Sequence, residues 1–206
     1  MIPHSLTSLA AFRLFKSAWR VATTALFMLM CSAAHGLSVQ PRSFDELVQL
    51  ADLVVVGTVR DVRSGFADGG LDQNTIFSYV SFAELEVIKG QADTTEYVLR
   101  VPGGTVGRFA QDYPGTPVFQ IGQRYLVFIR GNHHDFFPVV GINQGVFRIL
   151  SNARGQRVVV RDDRISHGGQ RALTAIMQDA PSLDDFIQKI RTRMTPAVPG
   201  TGGQSP

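Results

Sequence analysis

The chain has 206 residues, with 20 Lys plus Arg against 17 Asp plus Glu and a formal net charge of +3. Three of the bases, Arg13, Lys16 and Arg20, fall in the first 36 residues, so the remainder carries 17 charges of each sign. With no basic excess and no basic patch, that remainder argues against nucleic acid or an anionic membrane surface as a partner, and with Cys31 as the sole cysteine it forms no disulfide.

The N-terminal stretch has a basic region free of acidic residues, followed by the apolar run Val21 to Ala34. That run is too short to cross a bilayer comfortably, and the pattern is that of a secretory signal peptide over residues 1–36. Cleavage after Ala34 leaves His35 at the new N-terminus, and cleavage after Gly36 leaves Leu37. An uncleaved anchor is the alternative. Met30 before Cys31 does not fit a lipoprotein site, and no twin arginine is present. Removal of the segment leaves about 160 residues, enough for one domain held by its own hydrophobic core. The expected destination is the periplasm or the extracellular space.

Ser43 and Glu46 form an S-x-x-E capping box that starts a short helix running to about Leu50, with Phe44, Leu47, Val48 and Ala51 at helical spacing. A strand comes next at Leu53 to Val62, continuous and β-branched at first and alternating later, which predicts burial on both faces at its start. Gly57 marks a bulge or close packing. The loop Ser64 to Thr75 separates it from a long strand, Ile76 to Ile88, giving an antiparallel hairpin. Val80 and Phe82 lie on one phase of that strand and Leu85 and Val87 on the other, so a bulge is expected between Phe82 and Leu85. Long, bulged, coiled strands are what small closed barrels use to turn a corner.

A third strand spans Tyr97 to Val101. From Pro102 to Gly122 no period is visible, and an irregular connection of this length is often functional. Arg124 to Arg130 alternates as a fourth strand. Shorter ones are expected at Pro138 to Gly141 and Gly145 to Ile149, and a turn at Asn152 to Gly155 leads to Val158 to Arg161. Five to seven strands are expected in all. Leu173, Ile176 and Met177 share a helical face, and Ser182 caps a last helix with Leu183, Phe186, Ile187 and Ile190 in an apolar stripe. Residues 195–206 read as a disordered tail, so the domain is expected over 37–194.

The segments ADLVVVGTV at 51–59, VIKG at 87–90, IGQRYLVFI at 121–129 and the closing QGVFRI resemble, in their order, those of netrin-like domains. Their best known members are the tissue inhibitors of metalloproteinases. The chain also resembles a group of exported bacterial proteins of unassigned function that share the VPGG segment after the third strand. The resemblance covers about residues 43–150, because the shared features are strand and turn patterns. It implies a mainly β fold: a small OB-like antiparallel β-barrel with a short N-terminal helix and one or two C-terminal helices. In the inhibitors, a mature N-terminal cysteine chelates the protease zinc through its amino group and carbonyl. No cysteine remains here after residue 36, so that role does not carry over. Cleavage after Ala34 would instead present His35, an amino group and an imidazole.

Other chemistry is sparse. His133-His134-Asp135 is the one dense cluster of ligand-type residues, but adjacent histidines diverge and a structural zinc needs separated ligands. His167 is distant in sequence. Asp68, Asp72 and Asn74 suit calcium by type, without EF-hand spacing, and Glu84 and Glu86 share one face of a strand about 7 Å apart, a separation compatible with glycoside hydrolysis. Gly103, Gly104 and Gly107 lack the phosphate-loop pattern and its lysine, and no G-x-S-x-G elbow occurs. The resemblance, together with the long aromatic loop, points to an exported, non-enzymatic protein-binding module without a cofactor. Its expected contact residues are Arg108, Phe109, Tyr113 and Phe119 of the long loop, and the resemblance implies as its partner an exported protein such as a metalloprotease. A metal-dependent hydrolase using His133 and His134, and a glycan-binding barrel, are the alternatives.

Overall fold

A computed structural model describes residues 40–67, 74–92, 96–166 and 170–194. The segment 1–36 expected as a leader, with His35, the loop residues Asp68 and Asp72, His167 and the tail 195–206 lie outside the described residues. The described helices and strands all belong to the unit Pro41–Pro206.

Helix α1 (Phe44–Leu50) starts as the capping box requires. The Glu46 amide donates to Ser43 Oγ at 3.2 Å and the Ser43 amide to Glu46 Oε2 at 2.7 Å. The bond from the Ser43 amide foremost, and the Ser43 hydroxyl beside it, hold the Glu46 carboxyl below its ordinary range. The helix has no basic residue in its last turn. Lys89 supplies the missing cation from a strand, donating to the carbonyls of Val48 at 2.7 Å and Ala51 at 2.6 Å.

The strands are β1 (Leu53–Phe66), β2 (Ile76–Lys89), β3 (Tyr97–Pro102), β4 (Gly104–Val106), β5 (Phe109–Gln111), β6 (Arg124–Ile129), β7 (Val146–Ser151) and β8 (Arg157–Arg161). Helices α2 (Asp162–Ser166), α3 (Gln170–Asp179) and α4 (Leu183–Met194) complete the chain order. Six strands form one antiparallel sheet in the order β3-β2-β1-β6-β7-β8, and β4 and β5 form a separate hairpin. The fold is thus mainly β with short flanking helices, as expected. Closure into a barrel is the part that fails, since the edge strands β3 and β8 do not pair with each other.

The reason lies at the outer edge of β3. The segment after β6 returns to that edge as a turn, and one side chain does the pairing: Asn132 Oδ1 accepts from the Arg100 amide at 3.0 Å while its Nδ2 donates to the Val98 carbonyl at 2.8 Å. The same amide group donates to Tyr97 Oη at 2.8 Å. Residues Pro138 to Gly141, expected as a short strand, contribute a single bridge to β6 instead, Val139 to Ile129. Register along β6 then jumps to Val146 opposite Val127, so the residues between bulge out of the sheet.

The expected bulge in β2 is present. Val56 pairs with Glu86 and Thr58 with Ala83, so β2 has an extra residue opposite Gly57, and Glu84 takes a φ of 53°. A side chain at Gly57 would crowd Phe82 Cβ at 3.2 Å and the Ala83 carbonyl at 3.3 Å. Two further register shifts, between Val54 and Val55 and between Val59 and Asp61, coil the β1–β2 pair more than one bulge would.

Burial of β1 on both faces follows from its β-branched run. Val54 and Val56 join Leu126, Phe128 and Phe147 under α1 and α4, where Leu183, Phe186, Ile187 and Ile190 fill the layer. Val55 and Val59 face a second core with Val80, Phe82, Leu99, Tyr125 and Val127. At its start α4 is capped by Ser182, whose Oγ accepts from the Asp185 amide at 3.1 Å. At its end Arg193 pairs with Asp45 of α1 at 3.2 Å.

Candidate functional site

The connection Pro102 to Gly122 leaves β3 through the VPGG turn and is built, not structureless. The Gly103 amide donates to the Ile76 carbonyl at 2.8 Å, and Ser78 Oγ donates to the Gly103 carbonyl at 2.8 Å. Gly104, at a φ of 136°, passes so close to β1 and β2 that a Cβ would lie 2.6 Å from Ser78 Oγ and in collision with Ser64 Oγ. The glycines of this segment therefore serve its turns, as their spacing indicates. Next comes the β4–β5 hairpin. Gln111 fastens its end, accepting from the Ile76 amide at 2.7 Å and donating to the Asn74 carbonyl at 2.6 Å.

Two aromatic side chains then hold the second half of the loop. Tyr113 sets its ring edge-on to Phe136 at 5.1 Å, and Phe136 continues to Phe77 at 5.6 Å. Phe119 is 7% exposed and wedged between Phe82 at 5.6 Å and Tyr125 at 5.1 Å. The Gln120 amide donates to Tyr125 Oη at 3.1 Å, and the Gly122 amide to the Val59 carbonyl at 2.8 Å. Phe119 is thus a core residue and Tyr113 a half-buried brace.

The other two expected contact residues are on display. Phe109 is 53% exposed at the hairpin tip, with the Arg108 guanidinium 5.2 Å over its ring. Sequence reasoning missed the rest of the surface. Phe66, 41% exposed, stacks edge-on against Phe109 at 6.1 Å, and the loop also exposes Val118 at 73% and Ile121 at 63%. Among the described residues, these four are the large hydrophobic side chains left exposed. Three belong to the loop and the fourth packs against it. An apolar Phe66 within the polar SGFADGG stretch was the available signal.

A cavity of about 370 Å³ opens beside the hairpin. Val62, Val80, Val101, Pro117, Val118 and Phe119 give it apolar walls, and Ser78, Gln111, Asp112 and Thr116 contribute polar groups. Thr116 Oγ1 is buried without a hydrogen-bond partner. Asp112 is exposed.

The other candidates do not assemble. His133, with a φ of 68°, and His134 are exposed on a turn closed by the amides of His134 and Asp135, which donate to the Gly131 carbonyl at 2.9 and 2.7 Å. Asp135 pairs with Arg130 at 3.3 Å. Among the described residues there is no group of three or more His, Cys, Asp or Glu side chains arranged to hold a metal. Glu84 accepts from Thr58 Oγ1 at 2.9 Å and pairs with Arg124 at 3.1 Å, whereas Glu86 lies 4.0 Å from Arg191. Each carboxylate has its own cation. Arg148 pairs with Asp162 at 2.7 Å in a partly buried position, its guanidinium 5.6 Å from the centre of the Tyr125 ring. Burial raises the Asp162 carboxyl above its ordinary range in spite of that arginine. No family model, curated protein or solved structure matches the chain.

Proposed function

We propose that the chain is an exported, non-enzymatic protein-binding module whose contact surface is the loop Pro102 to Gly122 together with Phe66. The observation that carries this reading is that, among the described residues, three of the four exposed large hydrophobic side chains sit on one braced loop and the fourth, Phe66, packs against Phe109. Contiguous exposed apolar surface is costly in water and marks contact sites. Aromatic and arginine side chains supply most of the energy in protein interfaces, and Phe109, Phe66 and Arg108 are of those types. Anchoring at Gln111, Tyr113 and Phe119 fixes the loop beforehand, so little conformational freedom is lost on docking. The resemblance to netrin-like inhibitors makes a secreted metalloprotease the first partner class to try.

The test is capture of exported proteins on C-terminally tagged chain, read by mass spectrometry, with the double variant Arg108→Ala/Phe109→Ala in parallel. One dominant partner is expected with the natural chain and at least a tenfold lower yield with the variant. Both substitutions lie at an exposed tip, so unfolding stability should change by no more than about 0.5 kcal/mol. Equal capture by both chains, or no specific capture, defeats the proposal. Proteolytic activity of the captured protein that a chelator abolishes would place it in the metalloprotease class.

A further inference from the structure

The cavity beside the hairpin has a chemistry that the exposed loop tip does not share. Resting on the protein-binding reading, we propose that it takes an arginine side chain of the partner, the aliphatic stem against Val62, Val80, Val101 and Val118 and the guanidinium at Asp112. At about 370 Å³ the space is of ligand-binding size. Its walls are apolar, yet its rim carries a carboxylate. Asp61, Glu84, Glu96 and Asp135 each have an arginine partner within this chain. Asp112 is exposed and has no ion pair or hydrogen bond among the described residues. Thr116 adds a buried hydroxyl oxygen with no partner. A purely apolar occupant would satisfy neither oxygen, and an acidic one would be repelled by the carboxylate.

Arginine meets both demands. Its methylene stem buries well along apolar surface while its head stays polar. Its guanidinium offers several fixed N–H donors, enough for a carboxylate and a hydroxyl together.

The experiment is an amide-resolved NMR titration of the chain with Nα-acetylarginine methylamide, and with its uncharged isostere, the citrulline derivative. Saturable shifts at Gly103, Gly104, Thr116 and Val118 are expected with the arginine compound. Binding at least tenfold weaker is expected for the citrulline compound and for Asp112→Asn, an exposed substitution whose fold the same spectra report. Equal binding of the two compounds, no effect of Asp112→Asn, or no shifts at these amides overturns the assignment. Phe109→Ala keeps the arginine response while losing partner capture, which separates the cavity from the loop tip. Partner capture undiminished in Asp112→Asn sinks the cavity assignment and leaves the binding module standing; arginine binding with no partner at all sinks the binding module and leaves the cavity as an arginine site without a protein partner.

Discussion

Tyr97 and Tyr125 place phenol groups where water is scarce, and burial raises both above their ordinary 10.0 despite the hydrogen bonds from Asn132 and the Gln120 amide. Well below pH 10 these tyrosines are protonated in the folded and unfolded chains alike. Above it the unfolded phenols ionise first, so the folded state binds more protons and stability falls as pH rises through the raised values. Melting temperature should therefore decline from roughly pH 10 upward, and Tyr97→Phe should flatten that decline relative to the natural chain when Tm is followed from roughly pH 8 to 11. An unchanged slope would show that Tyr97 does not set the alkaline limit. Asp162 acts with the same sign in acid, its raised value making stability fall between 3.8 and that value as pH rises. Residues whose roles are local were legible in the sequence. Ser43, Glu46 and Ser182 announce their caps because the partner groups lie within three positions. Phe109 and Phe119 were indistinguishable there: both are aromatic residues in a polar stretch, and only the approach of Phe82 and Tyr125 makes one of them core.

Among the elements, the long loop is the one whose parts divide the labour between holding and presenting. Phe119→Ala should cost about 3–5 kcal/mol, because it empties space between two buried rings. Phe109→Ala, which only shortens a displayed side chain, should stay within about 0.5 kcal/mol. Urea unfolding of the two variants checks the contrast, and similar losses would mean that the tip is also structural. The bulge in β2 was legible because the apolar phase switches between Phe82 and Leu85. The other two register shifts were not. One lies in the run Leu53 to Val56, where every residue is apolar and phase is invisible. Strand β1 also continues to Phe66, past the glycine and serine that read as the start of a loop, because pairing with β2 as far as Ile76 outweighs their low strand propensity.

On the scale of the molecule, two hydrophobic layers share one sheet, and the run of valines in β1 belongs to both. The mainly β class and the terminal helices could be read from periodicity. The open sheet could not, because the outer edge of β3 is filled by an amide side chain whose three partners lie 32 to 35 positions away, and that of β8 bridges to Ser182. Asn132→Ala should remove those bonds at a cost of about 2–3 kcal/mol. It has a second effect that stability curves do not record. With Asn132 gone, the backbone of Tyr97 to Pro102 becomes a bare strand edge, and such edges recruit other chains. The variant should elute as larger species as its concentration rises, where the natural chain keeps a constant elution volume. That outcome would give a single asparagine the task of keeping one strand edge from joining copies of the chain into polymers.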